Sequence, residues 1–96
     1  MNWQPIETAP RDGTLIDLWV IDEHYGASRI PDCKWGREDY NGFGDPIAEI
    51  DGWVQWTKDI TGEEYWALIE FDFRRGEVVR TNEVVTHWLP LPAPPK

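Results

Sequence analysis

The chain has 96 residues, 41% of them hydrophobic, with Lys+Arg 9 against Asp+Glu 18, a formal net charge of -9, and Trp 7. An acidic disordered tail would lack so many aromatics, and a nucleic-acid binder working by phosphate neutralisation would be basic. No apolar run reaches the roughly 18 residues of a membrane-spanning helix, so neither a membrane nor direct nucleic-acid binding is expected.

The length predicts one domain over residues 1–96. Residues 1–5 have neither the basic start nor the apolar core of a secretory leader, so a cytoplasmic location is expected. Trp3 to Thr14 holds Pro5, Pro10 and the turn dipeptide Asp12-Gly13, predicting an extended lead-in with one 3-10 turn at most. Thr14 to Asp22 is the clearest strand. Its two faces are both largely apolar, as in a central strand, and Trp19 reads as core. Asp17 interrupts one face and needs a partner if buried.

Glu23 to Ile30 is polar and reads as a loop or hairpin turn. Pro31 to Gly36 reads as a short strand, residues 37–51 as a long loop, and Gly52 to Thr57 as a third strand. Lys58 to Glu64 is a turn region. Glu63 to Phe73 alternates at its end in the strand manner (Ile69, Phe71, Phe73). Val78 to Arg80 and Glu83 to Thr86 flank Thr81-Asn82 and read as a two-residue hairpin. His87 to Leu89 extends the last strand, and the proline-rich tail 90–96 stops it. The expected fold is mainly β: a small antiparallel sheet, barrel or sandwich with long loops and little helix.

Cys33 is the lone cysteine and forms neither an internal disulfide nor a Cys-x-x-Cys site; it reads as a small buried apolar residue. A domain this small, without disulfides, gains stability from large rings or from oligomerisation.

Two stretches are familiar. Trp3-x-Pro5-Ile6-x-Thr8-Ala9-Pro10-x-Asp12-Gly13-Thr14 and Thr86-His87-Trp88-Leu89-Pro90-Leu91-Pro92 resemble an uncharacterised family of small phage and prophage proteins. The match covers about a third of the chain directly. This chain carries Leu89 where Met is usual, and a long acidic middle at 37–51 and 58–82. The resemblance implies a phage or bacterial cytoplasm as context and transfers no reaction.

No nucleophile elbow, Walker loop, zincin motif or dinucleotide fingerprint is present, so no enzyme, cofactor or metal is expected. His24 reads as a loop residue beside Asp22 and Glu23. His87 lies in the closing motif, where it either bonds the strand end or contacts a ligand. Most of the negative charge falls from residue 37 onward and reads as a solvated surface. Trp3 and Trp88 lie in the two motifs and could meet on neighbouring strands. Trp35, Trp53, Trp56 and Trp66 flank loops, where indoles stack flat rings or anchor a partner. Arg11 stands before the Asp12-Gly13 turn, and Arg74-Arg75 is a basic pair before Gly76. These suit phosphate, or simply a hairpin turn.

The leading expectation is a non-catalytic phage anti-defence protein. It would sequester a small nucleotide-like immune signal, as a homo-oligomer, through Trp3, Arg11, Trp35, Trp53, Arg74, Arg75, His87 and Trp88. The alternatives are an acidic interaction module that inhibits a host defence protein and a small hydrolase using Asp12 or Asp17.

Overall fold

The computed structural model describes residues 2–37, 50–74 and 77–91. Its elements are β1 (Gln4–Pro5), a 3-10 turn (Ile6–Thr8), β2 (Ile16–Asp22), β3 (Gly26–Arg37), β4 (Asp51–Lys58), β5 (Glu64–Leu68), β6 (Phe71–Arg74), β7 (Glu77–Arg80) and β8 (Glu83–Pro90). The fold is mainly β. Six strands form one open antiparallel sheet in the order β1-β8-β2-β3-β4-β5, and β6-β7 form a separate hairpin. Among the described residues no barrel closes, because β1 and β5 end the sheet.

β2 is central, as its two apolar faces predict, pairing with β8 on one side and β3 on the other. Ile16, Leu18 and Val20 point to the core face, where Cys33 and Val85 flank them. Ile6 and Ala9 of the N-terminal segment, Trp53 of β4 and Ile69 complete that core. Burial pushes the Cys33 thiol up to about 12, with Asp17 and Asp32 adding to the shift, so it is protonated and inert at neutral pH.

The terminal segments meet. β1 pairs with β8 in the register Gln4↔Trp88 and Pro5↔His87. The Trp88 indole N–H donates to Thr8 Oγ1 at 3.0 Å, and Thr8 Oγ1 donates to Pro5 O at 2.7 Å. The closing motif thus holds the 3-10 turn of the opening one. Gly13 takes φ +89, the left-handed geometry its turn needs, while Asp12 Oδ1 accepts the Thr14 N–H at 3.1 Å. The Thr14 hydroxyl, which donates to the same oxygen at 2.5 Å, and this N–H hold the Asp12 carboxyl below the usual carboxylate range.

Three expectations need correction. The turn after β2 is shorter than 23–30. Asp22 Oδ1 accepts the N–H groups of His24 and Tyr25 at 2.7 and 3.1 Å, closing it within three residues, and β3 starts at Gly26. Polar residues mark one solvent-facing strand here, not a loop. Secondly, β7 and β8 do not pair with each other: β7 pairs with β6, and β8 with β2 and β1. Thr81 hands the chain from hairpin to sheet. Its N–H donates to Glu70 O at 2.9 Å and its hydroxyl to Ile69 O at 2.9 Å. Thirdly, the strand read over 63–73 is cut in two at Ile69-Glu70. The Ile69 N–H turns to Trp53 O at 3.0 Å and its side chain plugs the core at 1% exposure. The loop prediction at 37–51 falls mostly on residues 38–49, outside the described residues, as does the tail 92–96. The strand itself runs through Pro90, which suits a residue at a strand end.

Candidate functional site

The face opposite the core carries the chemistry. Successive side chains alternate across a strand, so register places residues of neighbouring strands in rows. One row crosses four strands: Pro5 of β1, His87 of β8, Trp19 of β2 and Arg29 of β3. Trp3 adds a second indole, its ring centroid 5.4 Å from that of Trp19 with the planes 53° apart. The Arg29 guanidinium carbon lies 5.8 Å from the Trp3 ring centroid. His87 is exposed, and its Nδ1 lies 2.9 Å from Thr86 Oγ1.

Arg29 is fixed by Asp17. Asp17 is 2% exposed and accepts from Arg29 Nε at 2.8 Å and from the adjacent Nη2. The same carboxylate accepts the Asp32 N–H at 3.3 Å. β3 has one residue too many here, because Ile16 faces Cys33 while Leu18 faces Ile30. Pro31 and Asp32 together therefore oppose Asp17, a β-bulge, and Asp32 takes φ 56. The buried carboxylate supplies the acceptor that the bulged backbone lacks. This is the partner that the sequence requires for a buried Asp17.

The eight predicted site residues do not converge. Trp3 and His87 share the row just described. Arg11, Trp35, Trp53 and Trp88 belong to the core side. There the Arg11 guanidinium carbon stands 4.3 Å over the Trp35 ring, and Trp35 meets Trp53 edge-on at 5.0 Å. Trp53 is 3% exposed and Trp88 is half-buried against the core, so both rings hold the fold. Arg75 lies outside the described residues, and Arg74 is placed in β6 by its backbone alone. Trp19, read as core, is only half-buried and faces away from it. Sequence reasoning missed Trp19 and Arg29 as site residues because Arg29 sat in a presumed loop. The alternation of Ile30 and Ser28 against Arg29 was the available signal.

A second region lies where β3 and β4 part. An open cleft of about 500 Å³ is lined chiefly by Leu15, Ile30, Pro31, Trp56 and Trp66. Trp56 and Trp66 are cross-strand neighbours with ring centroids 5.3 Å apart, and Lys34 Nζ lies 4.2 Å over the Trp66 ring. A third hollow, of about 380 Å³, is lined by Asp22, Glu83, Thr81 and neighbours. Burial raises the Glu83 carboxyl above its ordinary value, and Asp22, its cross-strand partner, adds to this. With the folded value above the unfolded one, the group's stabilising contribution is full below the ordinary glutamate pKa and is lost as pH rises through the folded value. Glu83→Gln is therefore expected to raise the melting temperature slightly at pH 7 and to leave it unchanged near pH 4; a thermal melt at both pH values checks it.

Among the described residues no three His, Cys, Asp or Glu side chains group as metal ligands would, and no helix is long and apolar enough to cross a membrane. Comparison of the chain with family models, characterised proteins and solved structures found no match.

Proposed function

We propose that this protein is a non-catalytic binder of a small, flat, anionic ligand of the nucleotide type, held on the Trp3–Trp19–Arg29–His87 face. The observation that carries the reading is the cross-strand row itself: an indole flanked in register by a guanidinium and an imidazole, with a second indole against it. Indoles offer stacking surface to any nucleobase, worth about 1–3 kcal/mol per base. Arg29 spends its Nε and Nη2 on Asp17 and keeps further N–H donors for a phosphate. Because Asp17 holds the guanidinium in place, its ordering is not charged to binding.

The resemblance to small phage proteins supplies the biological setting of the proposal: sequestration of a host immune nucleotide signal in the bacterial cytoplasm. The face is open, so a homo-oligomer is proposed to close it, the second copy covering the ligand. Isothermal titration against cyclic dinucleotides and cyclic ADP-ribose isomers tests the reading. Saturable binding of one of them, weakened at least tenfold by Trp3→Ala and by His87→Ala, is the expected result. Failure of every ligand to bind overturns it.

A further inference from the structure

Strand β8 carries an extra residue against β2. Trp19 faces His87 while Val20 faces Val85, so Thr86 is the added residue of a β-bulge beside Trp19. Bulges re-aim side chains. This one brings the Thr86 hydroxyl against the ring of its neighbour: His87 Nδ1 lies 2.9 Å from Thr86 Oγ1. The same hydroxyl donates to Trp19 O at 3.5 Å.

A hydroxyl has one proton to give and two lone pairs to accept with. With its proton turned to Trp19 O, the Thr86 oxygen accepts from His87, and Nδ1 carries the N–H of the neutral ring. Free imidazole side chains favour the other tautomer, with the proton on Nε2, so the Thr86 contact changes what the ring offers. Nε2, on the far edge of an exposed ring, presents a lone pair.

The cross-strand row therefore has a direction. Arg29 at one end has only donors, His87 at the other presents an acceptor, and Trp19 lies between them. Neighbouring strands stand about 4.8 Å apart, so roughly 10 Å separates the two ends. A phosphate suits the guanidinium. The imidazole lone pair repels it.

We infer, on the strength of the nucleotide reading of this face, that Thr86 is a positioning residue: it holds His87 as the Nδ1–H tautomer, so that Nε2 accepts an N–H from the base edge of a nucleotide stacked on Trp19 with its phosphate at Arg29. The ligand is thus a nucleotide whose base keeps an N–H on the edge turned away from the phosphate. A site built around such a hydrogen bond rejects analogues that lack the donor.

Long-range nitrogen–proton correlation spectra of the full chain without ligand, at high pH where imidazole is neutral, read the tautomer directly. His87→Gln separates the His87 signals from those of His24. Wild type should show the Nδ1–H form, Thr86→Ser should keep it, and Thr86→Val should turn to the Nε2–H form. Val has the shape of Thr and suits a strand, so this variant folds. Titration calorimetry then compares AMP with N6,N6-dimethyl-AMP and UMP with N3-methyl-UMP. In a pair that binds, wild type should disfavour the alkylated base at least tenfold, and Thr86→Val should cut that preference to under threefold. An Nε2–H wild type, a Thr86→Val spectrum like that of wild type, or equal binding of plain and alkylated bases overturns the inference. Should no nucleotide bind, the nucleotide reading and the ligand half of the inference fall together, and the spectra still decide the role of Thr86.

Discussion

Arg29→Met is expected to cost this protein about 3 kcal/mol of unfolding free energy, and Asp17→Ala about 2 kcal/mol. The order follows from burial. The Asp17 side chain is 3% exposed and that of Arg29 is 39% exposed. Removing Arg29 strands a carboxylate in a site that water barely reaches. Removing Asp17 releases a guanidinium that solvent can serve, at the loss of the charge-assisted hydrogen bonds and of the acceptor for the Asp32 N–H. The partial exposure of Arg29 keeps the first figure at the low end of what breaking a buried pair costs. Urea unfolding of both variants and of the double variant checks this. The double variant should cost clearly less than the sum, because the stranded charge is gone. Equal costs, or a larger one for Asp17→Ala, would show that the bulge rests on something other than this pair. Asp17→Asn should fall between wild type and Asp17→Ala, since its amide oxygen still accepts the bulged N–H.

The same pair links the fold to the proposed site. Asp17 fixes the guanidinium of the nucleotide-type face and, through the Asp32 N–H, the bulge at which β3 leaves β4. Loss of this anchor is therefore expected to weaken the nucleotide-type ligand, while Trp56→Ala leaves that binding unchanged.

Much of the frame was legible in the sequence. The β2 strand, its central place, the Asp12-Gly13 turn and the need for an Asp17 partner all follow from local pattern. What was not legible depends on pairing. Nothing within Val78 to Thr86 states that β7 turns back to β6 while β8 crosses to β2; the decision lies in Thr81 bonding Ile69 and Glu70, ten or more residues away. The polar stretch 26–29 hides a strand because its residues are exposed on both faces, and the contact that ties it to the sheet's interior, Arg29 with Asp17, is twelve residues distant. The Trp residues show the limit most plainly. Composition says that seven indoles cannot all be buried, but the choice among them is made by register. Trp19 lies on the face away from the core, while Trp53, beside Gly52 in a short strand, lies on the core side.

That assignment of Trp53 gives the second large effect. Trp53→Ala is expected to cost about 4 kcal/mol, the usual size for emptying a buried aromatic. The ring is 3% exposed, meets Trp35 edge-on at 5.0 Å and packs with the core residues of β2, while its carbonyl accepts the Ile69 N–H. Gly52 makes the neighbouring face equally tight, since a Cβ there would stand 2.8 Å from Leu68 Cδ2. Strand β4 is thus confined on both faces and has little freedom to collapse into the space left by the indole. For a domain of this size the loss corresponds to a fall in melting temperature of roughly 15–30 °C. Trp56→Ala, three residues along on the same strand and 48% exposed, should cost under about 1 kcal/mol. Chemical denaturation of the two variants side by side decides between a structural and a ligand-contacting Trp53. A mild effect of Trp53→Ala on stability, with a tenfold loss of nucleotide binding, would return Trp53 to the site and move that site to the Arg11–Trp35 side of the sheet.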